Sequence, residues 1–352
     1  MKILLFSDLH CHSHAPYSTR TSSGLNSRFL SCLNVVSQAC EICQEENVGT
    51  AVFCGDLFHG RTKLDIDVFS ETWKAFRKLS DNVSKLIMLV GNHDQHRLIG
   101  DVHSVYAFSA FADVVDSPKT SVIDDVVMHL LPYMHDKNDV VQSLNKMLKS
   151  AESKDKKTLA FLHQSIFDAL PDHKIKGDEV LLSELPVGVD KYFSGHIHTR
   201  QSLANDRFYY LGSALQHTFG ERDQDKGFTL YDTTTGACSF VRSNSPRFFR
   251  FDVTEDTTPR KSMDFSGVDF SSDFVKICYS SKWKTEVEKI KEEHPRIVLE
   301  AIPENYSSGC AVSQELLGND EELLKSFVAE SDTGDLDEEK LLQYGLEILA
   351  SN

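Results

Sequence analysis

Over the first 240 residues, short apolar runs alternate with amphipathic stretches. The runs at 3–6, 51–54, 86–90, 158–162 and 192–193 have the length and the β-branched or aromatic content of buried strands. Residues 26–47 place Phe29, Leu33, Val36, Cys40 and Cys43 at three- and four-residue steps, which predicts a helix with one buried face. Residues 65–79 and 139–148 read as helices too. Strands alternating with helices predict a layered α/β domain. Further on, 208–211, 228–231 and 239–241 read as hairpin strands, with Thr235-Gly236 as a turn.

A polar patch at 243–246 predicts a domain boundary. Beyond it, 274–279, 282–294 and 297–302 read as a small strand–helix–strand unit. Residues 306–319 are turn-rich and read as a linker. Two short amphipathic helices follow, at 320–330 and 337–349. The expected organisation is a main domain at 1–245, a small α+β domain at 246–305 and a helical tail at 306–352.

Composition adds mainly exclusions. With 352 residues, 40% hydrophobic and 26% charged, the chain has ordinary globular proportions. Its N-terminal apolar run is too short for a signal peptide, and no stretch approaches the roughly 20 apolar residues of a membrane helix. A soluble, cytoplasmic protein with no membrane partner is expected. The eight cysteines show no framework spacing, and Cys40-x-x-Cys43 falls on the buried helix face, so reduced thiols are expected. Net charge is −16, and ten acidic against two basic residues in 320–352 supply half of it. That balance excludes a free-standing nucleic-acid binder working by phosphate attraction alone. It leaves room for an enzyme that meets nucleic acid through metals or beside a basic partner.

The chemistry sits at the ends of predicted strands. Asp8-Leu-His10 follows the first, Gly55-Asp56 the second and Gly91-Asn-His-Asp94 the third. His163 follows the run at 158–162, and Gly195-His-Ile-His198 follows 192–193. Open α/β sheets place their sites at such carboxyl ends. Each piece alone is common, and a lone Asp-x-His or a lone histidine is more often structural. Together Asp8, His10, Asp56, Asn92, His163, His196 and His198 make seven candidate ligands, enough for two divalent ions. Mixed imidazole and carboxylate donors suit manganese, iron or zinc better than calcium. Such a pair attracts a phosphodiester, lowers the pKa of water and clamps the attacking and leaving oxygens. His93 is left over and suits a general acid, with Asp94 beside it to orient the ring. His12, His14, His96, His103 and His129 fit no ligand position and read as structural or exposed.

In this order the five motifs resemble the calcineurin-like metallophosphoesterases over about residues 1–245. The resemblance implies a four-layer β-sandwich flanked by helices. It also implies one ion held by Asp8, His10, Asp56 and His198 and another by Asp56, Asn92, His163 and His196. Within that superfamily, Asp8-Leu-His10, Gly55-Asp-Leu-Phe-His59 and Tyr210-Leu-Gly-Ser213 with Lys226-Gly227 resemble the SbcD branch of DNA-repair nucleases and its phage recombination relatives. That likeness implies a second histidine near the phosphate, His59, and a small capping domain that contacts DNA. It further implies a helical tail that docks an SMC-like, SbcC-type ATPase, and possible homodimerisation through helices near the site. The segment Cys11-His-Ser-His14 and the Ser/Thr-rich stretch 17–27 match no motif of the family.

The expected function is a manganese-dependent DNA nuclease subunit, with magnesium, iron or zinc as alternative ions. It would cut phosphodiesters as exonuclease and endonuclease beside an ATPase, in the cytoplasm or, if phage-encoded, in the host's. The rivals are a phosphatase or a cyclic-nucleotide or small-molecule phosphodiesterase on the same site, and a scaffold without turnover. A scaffold would be expected to have lost ligands.

Overall fold

The computed structural model describes residues 1–97, 102–149, 156–166, 179–256, 259, 263–302, 324 and 338–350, with the side chains of 340–346 only in the last segment. Two units divide the chain. The first comprises Met1–Phe251, Phe265–Lys276 and Lys291–Val298; the second comprises Asp252–Asp264, Ile277–Ile290 and Leu299–Asn352.

In the first unit, β1 (Lys2–Phe6), β2 (Thr50–Phe53), β3 (Lys85–Leu89) and β4 (Asp113–Val115) run parallel in that order. The antiparallel hairpin β11 (Gly227–Asp232) and β12 (Cys238–Arg242) completes this sheet beside β1. A second sheet has the order β5-β6-β7-β8-β10-β9. Its strands are β5 (Lys119–Ile123), β6 (Val126–Leu130), β7 (Lys157–Leu162), β8 (Lys191–Ser194), β9 (Gln201–Leu203) and β10 (Phe208–Tyr210). Strands β6, β7, β8 and β10 are mutually parallel, with β5 and β9 antiparallel at the edges.

Alternation along the strands explains the packing, because successive side chains leave opposite faces. Ile3 and Leu5 join Val52, Ile87, Phe161 and Phe193 in the core between the sheets. Leu4 and Phe6 point the other way, into a core with Phe29, Val36 and Phe76 of the helices α1 (Ser27–Glu45) and α2 (Ile66–Asp81). On the far side, Ala160, Leu162, Tyr192 and Tyr210 pack on Val140 and Leu144 of α3 (Lys137–Leu148). Strands apolar on both faces are what a sheet covered on both sides requires.

Helix α1 begins where Asn26 caps it, accepting from the amides of Arg28 and Phe29 at 3.0 and 3.2 Å. The second helix starts after Asp65, and Asp136 caps α3 by accepting from the Asn138 amide at 2.7 Å. These elements fall where the hydrophobic pattern places them. The β5–β6 hairpin does not stand out in that pattern. Its turn uses Asp124 at φ 53° in place of glycine, and β5 is a partly exposed edge strand.

A third sheet has the order β13 (Phe248–Val253), β14 (Phe274–Tyr279), β15 (Val298–Ala301). In the second unit, Ser280 N donates to Val253 O at 3.0 Å, Ile302 N to Tyr279 O at 2.7 Å and Trp283 Nε1 to Thr254 O at 3.0 Å. Helices α4 (Lys284–Glu293) and α5 (Glu338–Ala350) coincide with the expected amphipathic stretches. The linker at 306–319 and the helix expected at 320–330 lie outside the described residues, apart from Leu324.

Candidate metal centre

The chain leaves β1, β2, β3, β7 and β8 at their carboxyl ends and turns at once into the candidate ligands. Between the first two loops the pairing continues past the strands: Asp8 N donates to Gly55 O at 3.0 Å, His10 N to Asp56 O at 3.1 Å and Cys11 N to Leu57 O at 2.8 Å. This lattice holds strained backbone. Asp8, His10, Asp56 and His196 have φ of 55°, 45°, 58° and 79°, a region that costs a non-glycine residue about 1–3 kcal/mol. Four of the seven candidate ligands therefore sit in conformations that only the surrounding bonds sustain. Close approach does the rest. A Cβ on Gly91 would overlap Asp56, and one on Gly195 would overlap the Cys54 carbonyl.

All seven side chains converge. Ligand atoms of Asp8, His10 and His198 lie within 4.8 Å of one another, as do those of Asp56, His163 and His196. Asp56 spans the two groups, with Oδ2 3.6 Å from His10 Nε2 and Oδ1 3.3 Å from His163 Nε2. Asn92 Oδ1 lies 3.1 Å from His163 Nε2 and 2.9 Å from His196 Nδ1. The Nε2 atoms of His10 and His198 face each other at 3.1 Å, and His10 Nδ1 is buried without a hydrogen-bond partner. Two imidazole nitrogens at that distance repel unless a proton or a cation lies between them. The donor set, nitrogens and carboxylate oxygens around a shared carboxylate, fits a pair of divalent ions.

Protonation follows from the surroundings. Burial lowers the pKa of His10, and burial with His163 beside it holds His196 down to about 3, so both rings are neutral donors. At His163, burial is outweighed by the Asp56 and Asp8 carboxylates, which raise the pKa to about 9. His163 Nδ1 donates to the Cys54 carbonyl at 2.6 Å, which leaves Nε2 facing Asn92 and Asp56. Burial works against ionisation of Asp56, yet His163 and His10 hold its carboxyl below the usual carboxylate range.

His93 lies beside this centre. Its amide donates to Asp56 Oδ1 at 2.8 Å, its Nδ1 meets the His59 carbonyl at 3.0 Å, and its ring centroid is 4.8 Å from that of His10. His59 stacks on His93 at 5.6 Å, and a ligand atom of each lies within 4.8 Å of one on His10. A cleft of about 410 Å³ opens here, lined by His10, Asp56, His59, Asn92 and His93 among others.

One expectation is corrected. Asp94 does not orient His93. Its buried carboxylate accepts from the amides of Asp56, Leu57, Phe58 and Gly91 at 2.9–3.2 Å, tying the second-strand and third-strand loops together. Burial and the neighbouring Asp56 carboxylate push its pKa up to about 7, against the pull of those amides. The partner of the His93 ring is a carbonyl.

Residues 1–200 match the model of the calcineurin-like phosphoesterase family. The chain belongs to that family. Its paired His/Asp clusters are typical of the dimetal sites of these phosphoesterases. The phosphoesterase is 23% identical over 326 residues to exonuclease subunit 1 of Enterobacteria phage T4, covering 88% of this chain and 89% of that protein. It is 25% identical over 232 residues to the DNA double-strand break repair protein Mre11 of Sulfolobus acidocaldarius, covering 63% of this chain and 55% of that protein. The chain thus spans only about half the length of that relative. Among solved structures, a dimetal phosphatase from Danio rerio matches with a TM-score of 0.41 at 11% identity, over 65% of this chain and 91% of that one. Among the described residues, no helix is long and apolar enough to cross a membrane.

Several residues around the phosphoesterase site escaped the sequence reading. Arg61 donates from Nε and Nη2 to the Asn92 carbonyl at 2.9 and 2.6 Å. His217 donates from Nε2 to the Asp8 carbonyl at 2.9 Å, and Glu221 Oε1 accepts from His198 Nδ1 at 2.8 Å. His14 also reaches the site, with Nε2 3.3 Å from the His10 carbonyl, and both His12 and His14 pack near His59. None of these follows a strand end, so no pattern of apolar runs points to them. Lys226-Gly227 was the one nearby signal, carried by family likeness alone.

Proposed function

We propose that this phosphoesterase is a DNA nuclease subunit that hydrolyses phosphodiesters with two divalent ions, manganese foremost, and works beside an SMC-like ATPase. The observation that carries the reading is the span of the likeness to T4 exonuclease subunit 1. It covers 88% of this chain, well past residue 200, where the family match ends. A phosphatase sharing only the catalytic site would not call for similarity in the C-terminal third.

In this reading Asp8, His10, Asp56 and His198 would hold one ion, and Asp56, Asn92, His163 and His196 would hold the other. When bound, the ions lower the pKa of water and stabilise charge at phosphorus. Asp56, with one oxygen toward His10 and the other toward His163, would be shared between them. Neutral Asn92 keeps the centre more positive than a third carboxylate would, which favours an anionic diester. With Nδ1 engaged on the His59 carbonyl, His93 has Nε2 left to hand a proton to the departing sugar oxygen. His59, stacked on that ring in the cleft, would contact the phosphate. Residues 246–305 serve as the DNA-contacting cap and 306–352 as the docking tail, and the ATPase adds DNA affinity to that of a chain of net charge −16.

The test compares substrates. Purified full-length protein with Mn²⁺ is given linear double-stranded DNA and bis(p-nitrophenyl) phosphate. Cleavage of both is expected; hydrolysis of the small diester with the DNA intact sinks the nuclease assignment.

A further inference from the structure

We propose that Glu221, locked by Lys226, is the positioning residue of the ion site built on Asp8, His10, Asp56 and His198, and sets that site's affinity apart from its neighbour's. The inference rests on the two-ion reading given above. His198 Nδ1 donates to Glu221 Oε1 at 2.8 Å, which fixes the tautomer with its lone pair on Nε2. That Nε2 is the atom 3.1 Å from His10 Nε2 and 3.9 Å from Asp8 Oδ1.

Glu221 is itself held on its other oxygen. Oε2 accepts from the His217 amide at 3.0 Å and pairs with Lys226 Nζ at 3.1 Å. The Lys226 side chain is 3% exposed and also donates to the His198 carbonyl at 2.7 Å and to Gln224 Oε1 at 2.9 Å. With both oxygens engaged, Glu221 acts on His198 rather than as a ligand. Its charge makes the imidazole a better donor, while the Lys226 ammonium offsets that charge so the centre gains no unpaired carboxylate.

The neighbouring site is built differently. There His163 Nδ1 rests on the neutral Cys54 carbonyl, and His196 presents Nδ1 toward Asn92. Glu221 makes no hydrogen bond or ion pair with either of those histidines among the described contacts. One site therefore depends on the segment 217–226 and the other does not.

The experiment is a Mn²⁺ titration of the full-length chain, followed by calorimetry and by the electron paramagnetic resonance signal of free Mn²⁺. Wild type is compared with Glu221→Gln, which keeps an acceptor without charge, and Glu221→Ala, which keeps neither. One of the two sites is expected to weaken by about 10–100-fold in Glu221→Ala and by less in Glu221→Gln, the other staying unchanged. Equal weakening of both sites, or of neither, in folded variants overturns the proposal. So does failure of the near-isosteric Glu221→Gln to fold, which would make the residue structural. A wild-type chain that takes up fewer than two ions overturns the two-ion reading itself. Two ions with unchanged variant affinities overturn only the role of Glu221.

Discussion

The Nε2 atoms of His10 and His198 face each other at 3.1 Å, although 188 residues separate them in the chain. Neither ring can swing away. His10 is wedged against His93 and His217, while His198 is held through Nδ1 by Glu221. Two nitrogen donors aimed at one point, with Asp8 and Asp56 close by, are a donor set suited to a cation. Positive φ at Asp8, His10, Asp56 and His196 is the conformational cost of bringing these side chains together.

Asp56 faces both groups of candidate ligands, so its loss should disturb both. Asp56→Asn is expected to lower the turnover of a small diester by about a thousandfold, in keeping with several kcal/mol of charge stabilisation. Steady-state kinetics at saturating Mn²⁺ measures this, and a fall of less than about tenfold would place the bridge elsewhere.

His93 should matter in proportion to how badly the leaving oxygen needs a proton. Replacing it with leucine is expected to slow DNA cleavage by about 10²–10⁴-fold while ion binding stays intact. Hydrolysis of a p-nitrophenyl ester, whose leaving group departs without a proton, should fall far less. Equal losses on the two substrates would remove the proton-donor role.

Asp94 predicts a loss of stability. Asp94→Asn keeps one acceptor oxygen for four amides and turns an NH₂ toward the others, which should cost about 2–4 kcal/mol. Urea unfolding measures it. The pH profile of the surviving activity should not move, because no bond joins Asp94 to the His93 ring.

Asn26 links the 17–27 stretch to the fold. It caps α1, and its Nδ2 also donates to the His14 carbonyl at 2.8 Å and to Ser18 Oγ at 3.0 Å. Asn26→Ala should cost about 1 kcal/mol for the cap, with more for the lost loop contacts. Thermal unfolding would show it, and an unchanged Tm would mean that neither the cap nor the loop contacts of Asn26 stabilise the fold.

The converging side chains were legible because each follows a continuous apolar run, so that the end of a strand buried on both faces and a polar punctuation coincide. Asp8 after Ile3–Phe6 and His163 after the run at 158–162 are found without any structure. Glu221, Arg61 and His217 were not legible. They lie in loops or, for Glu221, in a single 3₁₀ turn, and their value comes from hydrogen bonds to a candidate ligand or its backbone, which no periodicity records. Asp94 was misassigned for a related reason: adjacency to His93 in sequence says nothing about which way a side chain leaves a turn. The β5–β6 hairpin was missed because Asp124 takes the left-handed turn position where glycine would have marked it.

The most direct test of the account adds Mn²⁺ back, equivalent by equivalent, to metal-free full-length protein and follows shortening of end-labelled linear DNA. DNA cleavage is predicted to be absent without metal and to rise chiefly as the second equivalent is bound. Cleavage at full rate without metal, or intact DNA at saturating Mn²⁺ while a small diester is hydrolysed, would contradict it.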